Sequence, residues 1–223
     1  MNILDYPDRD MLAIDVANLL ADELETCLLN HDHASFVVPG GTTPGPIYDV
    51  LCAADLDWRR VHIFLTDERW VPEDHERSNT RLLRERLLVN RAANARYLPL
   101  YAPAKQPEDL LPELESQLVP ELPLSIALFG MGEDMHTASL FPGADQLDAA
   151  LDPHAPILVP LRVDGQPETR VSLSARVLDA ALSKHLVIYG ENKRAALERA
   201  LDLPPEEAPI TAVLSEMTVH WAE

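Results

Sequence analysis

The sequence predicts an α/β protein built on a doubly wound, mostly parallel sheet flanked by helices on both faces. Three observations carry that prediction. Short apolar runs of strand length recur along the chain and alternate with segments of helical periodicity. The runs are apolar at most positions on both faces, as in strands covered on both sides. Several of them end in turns rich in Gly, Pro, Thr or Asp, the connections that α/β units need.

Asp10 to Asn30 reads as an amphipathic helix, because Leu12, Val16, Leu19, Leu20, Leu24, Cys27 and Leu28 recur at helical spacing with acids between them. Ala34 to Val38 is a short strand ending in Pro39-Gly40-Gly41-Thr42-Thr43-Pro44. A helix follows from Pro44 or Pro46 through Ala53, since proline is tolerated in a first turn. Val61 to Leu65 is the next strand, with Thr66-Asp67-Glu68-Arg69 as its exit. Ser78 is a candidate cap for a helix carrying Leu82, Leu83, Leu87 and Leu88. A further helix is expected around Pro107 to Leu118, with Pro112 either starting it late or breaking it.

Leu124 to Phe129 is a strand, and Ile157 to Val163 and Arg170 to Leu173 are two more, linked through the turn-like Asp164-Gly165. Ser174 to Leu182 reads as helix, His185 to Gly190 as strand and Glu191 to Leu201 as helix. Thr218 to Trp221 alternates like a final strand. The whole reads as one Rossmann-like domain over residues 1–223, with a small lobe expected at about 145–170.

Hydrophobic residues make up 47% and charged residues 25%, which is ordinary globular usage. The formal net charge of −19 is not ordinary, and it argues against nucleic acid and anionic membranes as partners. An anionic small molecule would need a local cluster of Arg and Lys. Cys27 and Cys52 sit in apolar patterns and read as buried thiols, and no CxxC or other metal spacing is present. The N-terminus has no charged-then-apolar leader pattern, so a cytoplasmic location is expected. A monomer or small homo-oligomer is expected.

The chemistry lies in the loops. Gly40, Gly41, Thr42 and Thr43 join a strand to a helix, where close backbone approach and N–H donors suit a phosphate or sugar. Asp67 and Arg69 leave the second strand at the same predicted edge. Arg170 opens a strand, and Lys193 sits at a strand-to-helix junction. In so acidic a chain, cations at sheet edges gain weight as an anion clamp. Gly130 to Gly143 follows a buried strand with a glycine turn, the acidic pair Glu133-Asp134, His136 and a short helix-like segment. Histidine is the side chain best placed to move a proton near neutral pH. His31, His33 and His75 read as ordinary polar-loop residues.

Taken in order, Pro39 to Pro44, Asp67-Glu68-Arg69-Trp70-Val71-Pro72 with Ser78-Asn79, Gly130 to Gly143, Arg170-Val171-Ser172-Leu173 and Gly190-Glu191-Asn192-Lys193 resemble the 6-phosphogluconolactonases. These lie within a larger group that includes glucosamine-6-phosphate deaminases. Asp-Glu-Arg and His-Thr-Ala-Ser-Leu-Phe-Pro match the lactonase branch; the deaminase branch typically has Asp-Glu-Tyr and Ala-Phe-Asn-Glu-Pro.

The resemblance implies hydrolysis of 6-phospho-D-glucono-1,5-lactone in the oxidative pentose phosphate pathway, with no metal or organic cofactor. It implies His136 as general base, Asp134 and Asp67 as further candidate catalytic residues, and Arg69, Arg170, Lys193 and Gly40 to Thr43 around the phosphate. An amino-sugar-phosphate deaminase using Asp67 as base and a non-catalytic sugar-phosphate binder are the alternatives. The family usually has glycine where Met135 precedes His136. If that position needs positive φ, methionine is strained; if glycine gives close approach, methionine crowds the substrate.

Overall fold

The apolar runs pair with one another because each is sticky on both faces. A computed structural model describes residues 1–223. Its elements are β1 (Asn2–Asp5), α1 (Arg9–Asn30), β2 (Ala34–Val38), α2 (Gly45–Leu51), β3 (Val61–Leu65), β4 (Asp67–Arg69), α3 (Asn79–Arg86), β5 (Arg96–Tyr97) and α4 (Leu111–Leu118). There follow β6 (Ile126–Phe129), α5 (Leu147–Leu151), β7 (Leu158–Leu161), β8 (Arg170–Leu173), α6 (Ala175–Asp179), β9 (Ser183–Tyr189), α7 (Glu191–Ala200) and β10 (Thr218–Ala222).

Seven strands form one parallel sheet in the order β1-β10-β9-β6-β2-β3-β5. All five residues of β2 and all four of β6 are buried, which explains why they are apolar but for Ser35, whose hydroxyl is met by Ser125. Helix α1 starts at Asp8, whose Oδ1 accepts from the Met11 N–H at 2.8 Å, a cap worth about 1 kcal/mol. It buries Leu12, Val16, Leu20, Leu24 and Leu28 and leaves its acids in water, except the half-buried Glu23, which bonds His185. No helix is long and apolar enough to cross a membrane.

The topology decides where a ligand fits. From β2 the chain moves to β3 on one side, while β6 lies on the other. The loops after β2 and β6 therefore diverge, opening a crevice at the carboxyl ends of the strands.

Several expectations are corrected. Asp67 to Arg69 is not a mere exit: it is strand β4 of a second, antiparallel sheet ordered β4-β8-β7. Residues 145–170 supply α5 and β7 to this region. The helix expected over Ser174 to Leu182 stops at Asp179, because Ser183 already pairs with Ile126 at the start of β9. Thr137 to Phe141 is not helical; Ala138 has φ of 50°, and Thr137 bridges Leu140 in a tight turn. Strands β1 and β5 and helix α5 carry too short an apolar pattern to stand out in sequence. Cys52 is buried but Cys27 only half-buried, and both are free thiols. His33 is no ordinary loop residue, since it stacks on His62 beside the buried Glu121.

Candidate active site

Turns at the ends of β2, β4, β6, β8 and β9 meet around one polar cavity of about 280 Å³. Pro39 to Pro44, Asp67, Arg69, His136, Arg170 and Lys193 all line it. Of the predicted site residues, only Asp134 stands behind the wall, in contact with His136.

His136 is held by a turn built for it. Gly132 N–H donates to the His136 carbonyl at 3.0 Å, and Met135 N–H donates to the Gly132 carbonyl at 3.0 Å. A Cβ on Gly132 would overlap both the His136 ring and the Asp134 carboxylate, so only glycine lets the ring fold back here. Asp134 Oδ1 lies 2.5 Å from His136 Nδ1, and this bond holds the Asp134 carboxyl below its ordinary range. An ionised Asp134 places the ring proton on Nδ1 and leaves Nε2 able to accept one. The His136 ring also stacks on Phe141, with centroids 4.0 Å apart.

Met135 has φ of 65°, so the backbone does require the left-handed conformation. Its side chain packs against the core and does not line the cavity. The cost is thus backbone strain of about 1–2 kcal/mol rather than a crowded ligand. Met135→Gly is expected to leave kcat within about threefold of the parent, because the loop already has the shape glycine would take. A large gain in turnover would show instead that methionine impairs the native loop.

The anion side of the cavity is equally specific. Arg69 and Arg170 face each other as an antiparallel cross-strand pair. Two like charges in that relation repel. Burial, joined by Arg69 and Arg77, pushes the Arg170 guanidinium down from its ordinary value, with Asp67 opposing. Burial likewise pushes the Lys193 ammonium down. Arg69 Nε is buried without an acceptor, and Lys193 forms no ion pair. The N–H groups of Gly40, Gly41, Thr42 and Thr43 have no acceptor within the protein. Cations and unpaired donors so arranged suit an oxyanion.

The scaffold behind these groups uses residues that sequence reasoning passed over. Asn79 Oδ1 accepts from Arg69 at 2.8 Å, and Asn79 Nδ2 donates to the Asp67 carbonyl at 3.0 Å. Its side chain fills the space that a Cβ on Gly40 would take, so that glycine serves the scaffold. Asp67 is buried, accepting from Thr66 Oγ1 at 3.0 Å and Ser139 Oγ at 2.5 Å. Arg170 lies 3.8 Å from the same Asp67 carboxylate and over the Phe141 ring. Asn79 and Ser139 are visible in sequence only as members of motifs; nothing local links Ser139 to Asp67, 72 positions away.

The sequence model of the glucosamine-6-phosphate isomerases/6-phosphogluconolactonase family matches residues 7–221. The chain belongs to this family. Within the family, it is 41% identical to a 6-phosphogluconolactonase of Pseudomonas aeruginosa over 207 residues, covering 91% of this chain and 87% of that protein. It is 39% identical to a 6-phosphogluconolactonase of Mesorhizobium japonicum over 225 residues, covering 97% and 93%. The crystal structure of a family member, a 6-phosphogluconolactonase from Shewanella baltica, superposes with a TM-score of 0.96 at 31% identity, covering 100% and 98%. The seven-stranded α/β architecture is therefore the family fold.

Proposed function

We propose that the chain hydrolyses 6-phospho-D-glucono-1,5-lactone to 6-phospho-D-gluconate. The observation that carries this reading is the meeting of His136 with Arg69, Arg170 and Lys193 around one cavity. A base and a cluster of cations lining one cavity of about 280 Å³ suit a phosphorylated lactone. The curated relatives and the Shewanella baltica structure bear the name of this activity.

In the proposed mechanism, His136 Nε2 takes a proton from water as its oxygen attacks C1. The carbonyl oxygen becomes an oxyanion, and its charge is met by the cations and unpaired amides of the cavity. Collapse breaks the bond from C1 to the ring oxygen, which receives the proton from His136. The resulting acid ionises to the carboxylate. Asp134 is assigned to holding the imidazole in the useful tautomer. Asp67 is assigned to positioning, because both its oxygens already accept hydrogen bonds. That engagement disfavours the deaminase reading, in which Asp67 would abstract a proton.

The test is turnover of freshly prepared lactone, corrected for spontaneous hydrolysis, beside an assay for ammonia release from glucosamine 6-phosphate. Ammonia release, or ligand-induced stabilisation without any turnover, would overturn the assignment. Lys193→Ala and Arg170→Ala are each expected to raise KM by roughly 10–100-fold, the worth of a charge-assisted hydrogen bond, with a smaller change in kcat. An unchanged KM in both variants would refute the phosphate clamp.

A further inference from the structure

We propose that His33, His62 and Glu121 form a binding site for a divalent transition metal ion, with zinc the ion of choice, at the sheet edge opposite the lactone cavity. Three separate segments converge there. His33 directly precedes β2, His62 is the second residue of β3, and Glu121 closes a short turn between α4 and β6. The parallel register sets Ser35 beside His62, and the two imidazoles stack with centroids 4.3 Å apart and planes 16° from parallel.

Both rings aim a nitrogen at one carboxylate. His33 Nε2 lies 3.2 Å from Glu121 Oε2, and His62 Nδ1 lies 2.9 Å from Oε1 and 3.0 Å from Oε2. The three ligand atoms lie within 4.8 Å of one another. Ligands about 2.0–2.2 Å from a tetrahedral zinc stand roughly 3.3 Å apart, a spacing these atoms can reach once the stacked rings rotate to turn both lone pairs toward one ion. Two imidazoles and a carboxylate suit zinc, cobalt or nickel, whereas magnesium and calcium prefer all-oxygen sets.

Burial adds to the argument. The Glu121 side chain is only 3% exposed, and a buried carboxylate is costly without a cation. Its side-chain partners are the two imidazoles alone. A cavity of about 320 Å³, lined in part by His31, Asp32 and His33, gives an ion access and leaves room for a water ligand. The site lies at the amino ends of β2 and β3, each five residues long, so about 16 Å of strand separates it from the turns that line the lactone cavity. An ion here would clamp two strand ends to the segment before β6 and act on stability, not on turnover.

The test is titration of the full chain with Co²⁺ and Zn²⁺. One cobalt per chain with a tetrahedral absorption spectrum, displaced by zinc, is expected. Zinc-edge X-ray absorption on the parent protein should read two imidazole ligands. One equivalent of zinc should raise Tm and leave lactone turnover unchanged. His33→Asn, at a partly exposed loop position, and Glu121→Gln should each raise the zinc Kd by roughly 100-fold and abolish the Tm shift, and His136→Ala should retain binding. The proposal is overturned by no binding at micromolar zinc, by a zinc shell without two imidazoles, by binding that survives both substitutions, or by binding lost in His136→Ala.

Discussion

Replacing His136 with alanine is expected to lower kcat by about 10²–10⁴-fold, the usual contribution of a positioned acid or base, with KM little changed. The split follows from the geometry. The imidazole is anchored through Nδ1 to Asp134 and by stacking to Phe141, so Nε2 remains for chemistry. Substrate affinity is assigned to Arg69, Arg170, Lys193 and the Gly40 to Thr43 turn, which the substitution leaves in place. Steady-state kinetics on the fresh lactone would check this, and near-normal turnover would remove His136 from the mechanism. Asp134→Asn should also lower kcat strongly, since an amide can donate as well as accept and no longer fixes the ring proton on Nδ1 or favours the charged ring.

Glu68→Ala is expected to destabilise the fold by about 3–5 kcal/mol, a loss reserved for buried polar networks. Glu68 is fully buried. Its Oε1 accepts from the backbone N–H of Arg69 at 2.7 Å and of Asn79 at 2.8 Å. Its Oε2 accepts from Thr80 N and Thr80 Oγ1 at 2.8 Å each, and from Ser78 Oγ at 3.2 Å. Burial pushes this carboxyl up from its ordinary value, with the bonds from Asn79, Thr80 and Arg69 opposing. Alanine would strand three backbone donors, each costing about 1–3 kcal/mol when buried without a partner. The loss is read from the urea midpoint at constant m; a shift worth less than about 1 kcal/mol would show that water replaces the carboxylate. Because the same carboxylate holds Arg69 and the start of α3, kcat/KM should fall in whatever fraction stays folded.

Glu68 also shows the limit of sequence reading. It sits inside the Asp-Glu-Arg motif between two candidate site residues, yet nothing local reveals that it faces inward to α3 while its neighbours line the cavity. That follows from its place in β4, where alternate side chains point to opposite faces. Arg69 and Arg170 make the same point. Each was legible as a cation near a turn, but their direct opposition came from the antiparallel register of β4 and β8. By sequence Thr66 to Arg69 reads as the exit of a strand, because a three-residue strand such as β4 carries too little periodicity to be seen.

What the sequence determined by itself was local. Apolar runs such as Ala34 to Val38 and Leu124 to Phe129 specify buried strands, since no other placement hides so many consecutive apolar side chains. Gly132 and His136 specify a tight turn carrying an imidazole, and the need for left-handed backbone at Met135 was one of two readings the pattern allowed. Tertiary structure alone decided between those readings, gave Asn79 and Ser139 their partners, and set His33 against Glu121. Those contacts join residues far apart in the chain, and strand order and register bring them together only when the whole sheet assembles.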